Sequence, residues 1–437
     1  MRARSRTATG ICAVIGVATT AAPFFAAPKK PTRPVTPRVS TAMKAASLRK
    51  VNGYLEESAG GNLLQPGALV PVFEQLYRLS SGESHGAVHI VHFGDSHTAA
   101  DEWTGALRDD LKEKFGDGGS GFSLAGRPFL GYRRFDARGG GTTLWHSDGF
   151  RSASGDGLLG LGGMSITSDR AGQSVYLDTE CDFLEVQYLR QPDGGTLALY
   201  DGDQFVEEIP TAGELGPGVV RYQVTPGTHH FVLKTLDSHP VRLFGWVADK
   251  DTGVTYEALG INGAEASVIL KWDSGLFSAY LQRREPGMIV LAYGANEASD
   301  PNWNHESYHD MFVSLLRQLR QDAPAASLLV IGPADRWQRV RGVWRVMDAV
   351  DRIVTAQQAA CREVGCTYWD TRQRMGGKGS MRDWVYSGLA QADYVHFTAT
   401  GYKRLGDVLY ADLMRQYESY RKTRTEISEQ PPYGPAK

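Results

Sequence analysis

The spacing of apolar positions changes along the chain, and each change marks a different architecture. Between residues 44 and 79, Leu48, Val51 and Leu55, then Val70, Phe73, Leu76 and Tyr77, recur at helical intervals. Residues 89–93 follow a turn-rich stretch and read as a buried strand. Past Ser96, the positions Trp103, Ala106, Leu107, Leu111 and Phe115 return to the helical period, which stops at Gly116. From 116 to 250 no helix-period run of any length appears. Short strands are predicted instead at 175–177, 183–189, 196–200, 219–224, 230–235 and 241–247, divided by turn signals such as Pro192-Asp193-Gly194-Gly195, Asp201-Gly202-Asp203 and Pro226-Gly227. That regular spacing predicts an antiparallel β-sandwich. From 254 onward strands (254–259, 288–293, 327–331, 367–369) alternate with helices (264–272, 305–321, 343–364, 399–420). Alternation of this kind predicts a parallel sheet covered on both faces, so an α/β domain is interrupted, after its first strand–helix unit, by the sandwich.

Composition adds a location and removes some partners. The 437 residues carry 47 Lys and Arg against 49 Asp and Glu, a balance that gives no reason to invoke nucleic acid. Arg2, Arg4 and Arg6 precede an apolar stretch at 11–27, which predicts an export leader over 1–27, either cleaved or kept as an anchor. A Pro- and Lys/Arg-rich linker is expected at 28–43 and a disordered tail at 423–437. The protein is expected to be exported. Cys361 and Cys366 flank a helix-to-strand turn and suit either a local disulfide or a pair of buried thiols.

Chemistry is expected beyond the carboxyl ends of the parallel strands. Ser96 stands at one such end, in Gly94-Asp95-Ser96-His97; the same Asp-Ser pair is also a common turn and helix cap. Two further strand ends carry glycine with asparagine: Gly260-Ile261-Asn262-Gly263 and Gly294-Ala295-Asn296-Glu297. Glycine lets backbone N–H groups approach a ligand, and an Asn amide donates to an oxyanion. Asp393 and His396 lie three positions apart before the last helix, which allows the carboxylate to hold the imidazole while its other nitrogen faces a serine. Trp145, Trp246 and Tyr188 offer ring faces to a sugar or fill the sandwich core. Asp95 reads as a turn former or as a residue that positions the Ser96 loop, Glu297 as a cap of the following helix or a substrate contact, His92 as a packed strand residue and His305 as a helix start.

Taken in order, Gly94-Asp95-Ser96-His97, Asn262-Gly263, Gly294-Ala295-Asn296 and Asp393-x-x-His396 resemble the four blocks of the SGNH (GDSL-type) hydrolase family. The resemblance covers about 88–115 and 254–420. It implies Ser96 as nucleophile, His396 as general base, Asp393 as its orienter, and an oxyanion hole made by the Ser96 and Gly263 N–H groups and the Asn296 amide. Gly260 competes with Gly263 for that assignment. His97 departs from the Leu found in many members. Phe115-Gly116-Asp117-Gly118-Gly119, Tyr293 to Ala298 and Val395-His396-Phe397-Thr398-Ala399 narrow the resemblance to bacterial peptidoglycan O-acetylesterases. In that group a carbohydrate-binding-module-like, jelly-roll-like sandwich interrupts the hydrolase.

The domain layout this implies is hydrolase at 44–115 and 251–422, with the insert at 116–250. The implied substrate is an O-acetylated polysaccharide, with no cofactor, no metal and no obligate protein partner. An O-acetyltransferase, an esterase for another acetylated polysaccharide, and a non-catalytic glycan-binding protein are the alternatives that the sequence leaves open.

Overall fold

The computed structural model describes residues 39–57, 63–149 and 155–429. The expected leader at 1–27 and most of the linker lie outside those residues. A six-stranded sheet runs in the order Leu63–Leu64, Thr367–Trp369, Ser327–Ile331, Met288–Ala292, Ala87–Gly94, Gly253–Gly260, and only Leu63–Leu64 is antiparallel to its neighbour. Its central strands are nearly continuous apolar runs because both faces are covered. On one face Val88, Ile90, Val254 and Val290 pack with helices Val70–Ser80, Glu102–Phe115 and Ala399–Glu429. On the other, Val91, Phe93, Ile289 and Leu291 pack with helices Ser274–Arg284, His305–Asp322 and Ala349–Val364.

The register places three strand ends level. Gly94 stands opposite Ala292 on one side and Gly260 on the other. The loops that follow, with Ser96, Asn296 and Gly263, therefore emerge together at one edge of the sheet.

Between the first parallel strand and the second in sequence, one antiparallel nine-stranded sheet occupies the stretch where the sequence predicts a sandwich. Two long strands organise it, Ser174–Arg190 and Gly216–Thr235, paired along most of their length. The predicted strands 175–177 and 183–189 are thus one element, as are 219–224 and 230–235. Pro226-Gly227 is not a turn but an irregularity within the ladder, where the register shifts between Gln223 and Gly227. Ser174–Arg190 pairs with both arms, so the chain bulges instead of reversing. Gln204–Pro210, with mostly exposed side chains, also pairs into the sheet. Trp246 and Tyr188 are buried in the core of the insert, and the Trp145 ring packs against it, so these rings fill space there.

Other expectations change in detail. The stretch 264–272 forms only a 3-10 turn, Ala266–Lys271; the α-helix comes later, at Ser274–Arg284, capped by Asp273, whose side chain accepts from Leu276 N–H. The helix expected over 343–364 begins at Ala349. Val343–Val346 is instead a strand paired with Trp337–Val340 across a tight turn with Arg341 and Gly342 both at positive φ. The last helix runs to Glu429, through the start of the tail expected from 423, and Arg424 in that extension pairs with Glu74. Cys361 and Cys366 are bridged, and Cys181 is a buried free thiol.

Candidate active site

Asp95 has extended geometry, and its Oδ1 accepts the His97 N–H at 2.9 Å. It caps the short helix Ser96–Ala99, so the capping role that the Asp-Ser pair suggested belongs to Asp95, and the Ser96 hydroxyl is free of it. Ser96 Oγ lies 2.9 Å from His396 Nε2, and His396 Nδ1 lies 2.8 Å from Asp393 Oδ2. The other Asp393 oxygen accepts the backbone N–H groups of Val395 and His396, each at 3.0 Å. Burial alone would raise the Asp393 carboxyl; the His396 ring and the two N–H groups outweigh it and hold it below the usual range. A carboxylate kept charged in this way can fix an imidazole tautomer and stabilise imidazolium, an arrangement in which Nε2 is placed to accept a proton from the hydroxyl.

The Asp393–His396 turn is pinned by an element that the sequence pattern hid. Tyr394, between the two residues, is held at φ 59, and its ring lies 4.6 Å from that of Trp344 and 5.5 Å from that of Trp337. The Trp337 N–H donates to the Tyr394 carbonyl at 3.1 Å. The hairpin of Trp337–Val340 and Val343–Val346 thus holds a non-glycine residue in a conformation it seldom adopts.

Three candidate donors stand at this sheet edge, on the loops of Ser96, Gly263 and Asn296. As the first residue of its helix, Ser96 has an N–H that meets no acceptor among the described residues, and the same holds for Gly263. Gly263 sits third in the turn closed by the Ala264 N–H to the Ile261 carbonyl, at φ 77, where a side chain would be strained. Gly260 serves a different purpose. A Cβ there would stand 2.0 Å from the Ala99 nitrogen, so this glycine lets the Ser96 helix lie against the strand. Asn296 Nδ2 donates to the Ala264 carbonyl at 2.8 Å, with Asp95 Oδ2 at 3.5 Å. The short bond aligns Asn296 with the Gly263 turn, and the long one points its other amide hydrogen toward the Asp95 carboxyl beside Ser96.

Sequence reasoning missed several supporting side chains. Glu297 caps no helix: it is buried, with one oxygen accepting from Ala266 N–H and the other from Gly294 N–H, both at 2.9 Å. It fastens the Gly263 and Asn296 loops to each other. His97 donates to or accepts from the Tyr402 hydroxyl at 2.8 Å; burial, helped by the His396 and Arg336 charges, drops it to about 3 and keeps it neutral. Burial lifts Asp95 to about 6. Arg336 donates to the Ala295 carbonyl. His92, bonded to the Tyr256 hydroxyl at 2.8 Å, is a packed strand residue, and His305 begins its helix. Among the described residues, no three His, Cys, Asp or Glu side chains are grouped as metal ligands.

The fold that carries this edge is similar to that of known proteins. Residues 231–404 match the GDSL-like lipase/acylhydrolase family, a span that holds Gly263, Asn296, Asp393 and His396 and begins after Ser96. Over those residues the chain carries a GDSL-like hydrolase domain. Among solved structures, it is similar to a peptidoglycan O-acetylesterase at 26% identity, over 80% of this chain and 96% of that one, with a TM-score of 0.69. A family two carbohydrate esterase from Cellvibrio japonicus matches at 11% identity, over 64% of this chain and 98% of that one, with a TM-score of 0.28. One from Clostridium thermocellum, in complex with cellohexaose, matches at 10% identity, over 59% and 95%, with a TM-score of 0.27. No curated protein sequence matches the chain.

Proposed function

We propose that this acylhydrolase is a serine esterase that removes O-acetyl groups from a cell-wall polysaccharide, peptidoglycan, through an acetyl-Ser96 intermediate. The observation that carries the reading is the Ser96–His396–Asp393 chain, closed at 2.9 and 2.8 Å. The choice of polymer is supported by the likeness to a peptidoglycan O-acetylesterase, which extends over 80% of the chain. Export, expected from the basic and apolar segment at 1–27, belongs to the same proposal.

In the first half, Ser96 Oγ bonds to the acetyl carbonyl carbon as its proton passes to His396 Nε2. Negative charge moves to the carbonyl oxygen, where the Ser96 and Gly263 N–H groups and the Asn296 amide receive it. Each such donor contributes roughly 3–4 kcal/mol in comparable sites. The sugar oxygen leaves with the proton from His396. In the second half, His396 takes a proton from water, which attacks the acetyl carbon; acetate departs and Ser96 regains its proton.

The test is acetate release by wild type and Ser96→Ala from p-nitrophenyl acetate and from O-acetylated peptidoglycan. A loss of about 10³-fold or more in the variant is expected on both substrates. Near-full activity in the variant would overturn the mechanism. If wild type passes the acetyl group to an added glycan and releases little acetate, the hydrolytic assignment gives way to transfer.

A further inference from the structure

Residues 126–137 of the insert cross toward the hydrolase and meet it beside the site. A Cβ placed on Gly131 would lie 3.4 Å from the Asn262 amide nitrogen, next to Gly263. The Phe135 N–H donates to Asp101 Oδ2 at 2.8 Å, and Asp101 immediately precedes the helix Glu102–Phe115. Arg133 extends to Glu102 of that helix at 3.8 Å.

Under this crossing lies a cavity of about 180 Å³ lined by Arg127, Arg133, Arg134 and Arg138, together with Tyr132. The four guanidinium groups are not equally neutralised. Arg134 is spent on Asp136 and on the carbonyls of Ser120 and Phe122. Arg133 has only the distant Glu102 carboxylate. Arg127 donates to the Gly139 carbonyl, and neither it nor Arg138 forms an ion pair among the described residues. The Tyr132 hydroxyl accepts the Leu124 N–H at 2.9 Å, and burial pushes its pKa up to about 12, so it keeps a proton to donate. Cations gathered at one cavity repel each other unless an anion joins them, and planar guanidinium forks match a carboxylate.

We propose that this cavity is an anion subsite that takes a carboxylate carried by the polysaccharide or by a branch on it, beside the ester cleaved at Ser96. The proposal rests on the reading of the chain as a polysaccharide esterase. Placed on the insert but tied to Asp101, to the helix Glu102–Phe115 and to the Asn262 turn, the subsite selects acidic polymer without touching the reacting atoms. Arg127 and Arg138 are exposed on the surface, so their replacement does not disturb a core.

The experiment uses the full chain and an R127Q/R138Q double variant. Binding of de-O-acetylated peptidoglycan fragments is measured by calorimetry at low and moderate salt, with the same fragments amidated at their carboxyl groups as control. Kinetics are followed on O-acetylated peptidoglycan, on acetylated cello-oligosaccharide and on p-nitrophenyl acetate. Expected are salt-sensitive binding by wild type, a loss of about tenfold on amidation or in the double variant, and a matching rise in KM for the acidic polymer alone. The kcat values and p-nitrophenyl acetate turnover stay unchanged. Equal binding of carboxylated and amidated fragments, or wild-type binding by the double variant, would overturn the subsite. Charge-dependent binding by a wild type that hydrolyses no acetylated polymer would support the subsite and overturn the esterase reading.

Discussion

Glu297 follows Asn296 directly, and both of its oxygens are committed to backbone, one to Ala266 N–H and one to Gly294 N–H. A glutamine in its place offers one acceptor oxygen and turns an NH2 group toward an N–H that needs an acceptor. A buried donor left unsatisfied costs about 1–3 kcal/mol, here at the joint between the Gly263 and Asn296 loops. Burial also pushes the Glu297 carboxyl up to about 8 from 4.5. The folded state therefore binds this proton more tightly than the unfolded state. Stability from this group is full below about 4.5 and is lost as pH rises through about 8. Glu297→Gln should melt lower than wild type at pH 6, and the gap should narrow between pH 6 and 9 as wild type loses its proton. Thermal melts of both proteins across that range check it; a constant gap would mean that Glu297 does not titrate there. The adjacent Asn296 was legible as a residue of this strand end from its Gly-Ala-Asn pattern. The role of Glu297 was not, because its partners Ala266 and Gly294 come from two separate loops.

At the scale of elements, the site depends on how closely the Ser96 helix approaches the strand Gly253–Gly260. Gly260→Ala places a methyl group 2.0 Å from the Ala99 nitrogen and 2.6 Å from its Cα, both backbone atoms that have no rotamer to yield. The helix must move, at a cost of about 1–3 kcal/mol, and Ser96 moves with it. The expected outcome is a folded protein with a lower melting temperature and a large loss of kcat on p-nitrophenyl acetate. Wild-type kcat with only the stability lost would show that the helix position is not critical. The strand–serine–helix unit and the alternation after 254 were legible because strands buried on both faces read as unbroken apolar runs between helices of clear period. The hairpin that steadies the Asp393–His396 turn was not legible. Val343, Val346, Met347, Val350 and Ile353 continue a helical spacing straight through it, and of its two positive-φ turn residues, Arg341 and Gly342, only the glycine is a signal. The bulge near Gly227 was misread for a related reason: Pro-Gly marks a turn locally, whereas the pairing of Gly216–Thr235 with Ser174–Arg190 is set at long range.

At the scale of the whole molecule, the insert is built into the hydrolase core. Phe122, Leu161, Phe244 and Val247 of the insert share one apolar cluster with Phe277, Leu281 and Ile289 of the hydrolase. The entry and exit of the insert are clipped together, with Lys250 Nζ donating to Asp117 at 2.7 Å, and Lys112 and Lys250 hold that carboxyl down to about 2 against burial. Arg284 completes the joint. Its guanidinium donates to both Asp249 oxygens, at 2.7 and 2.9 Å, and to Glu257 at 2.7 Å, with 5% of the side chain exposed. Asp249 ends the last strand of the insert, and Glu257 lies in the parallel strand beside Ala87–Gly94. Arg284→Met leaves two buried carboxylates without their cation, a change that costs about 3–5 kcal/mol. Because the cation bridges both parts, the loss should fall on both: hydrogen exchange at amides of Val241–Asp249 and of Ala87–Gly94 should accelerate by the same factor in the variant. In wild type, the two strands should open in one transition on denaturation. Faster exchange confined to the insert strand would show that the two sheets unfold independently, and the insert would then be a tethered module instead of part of one cooperative unit.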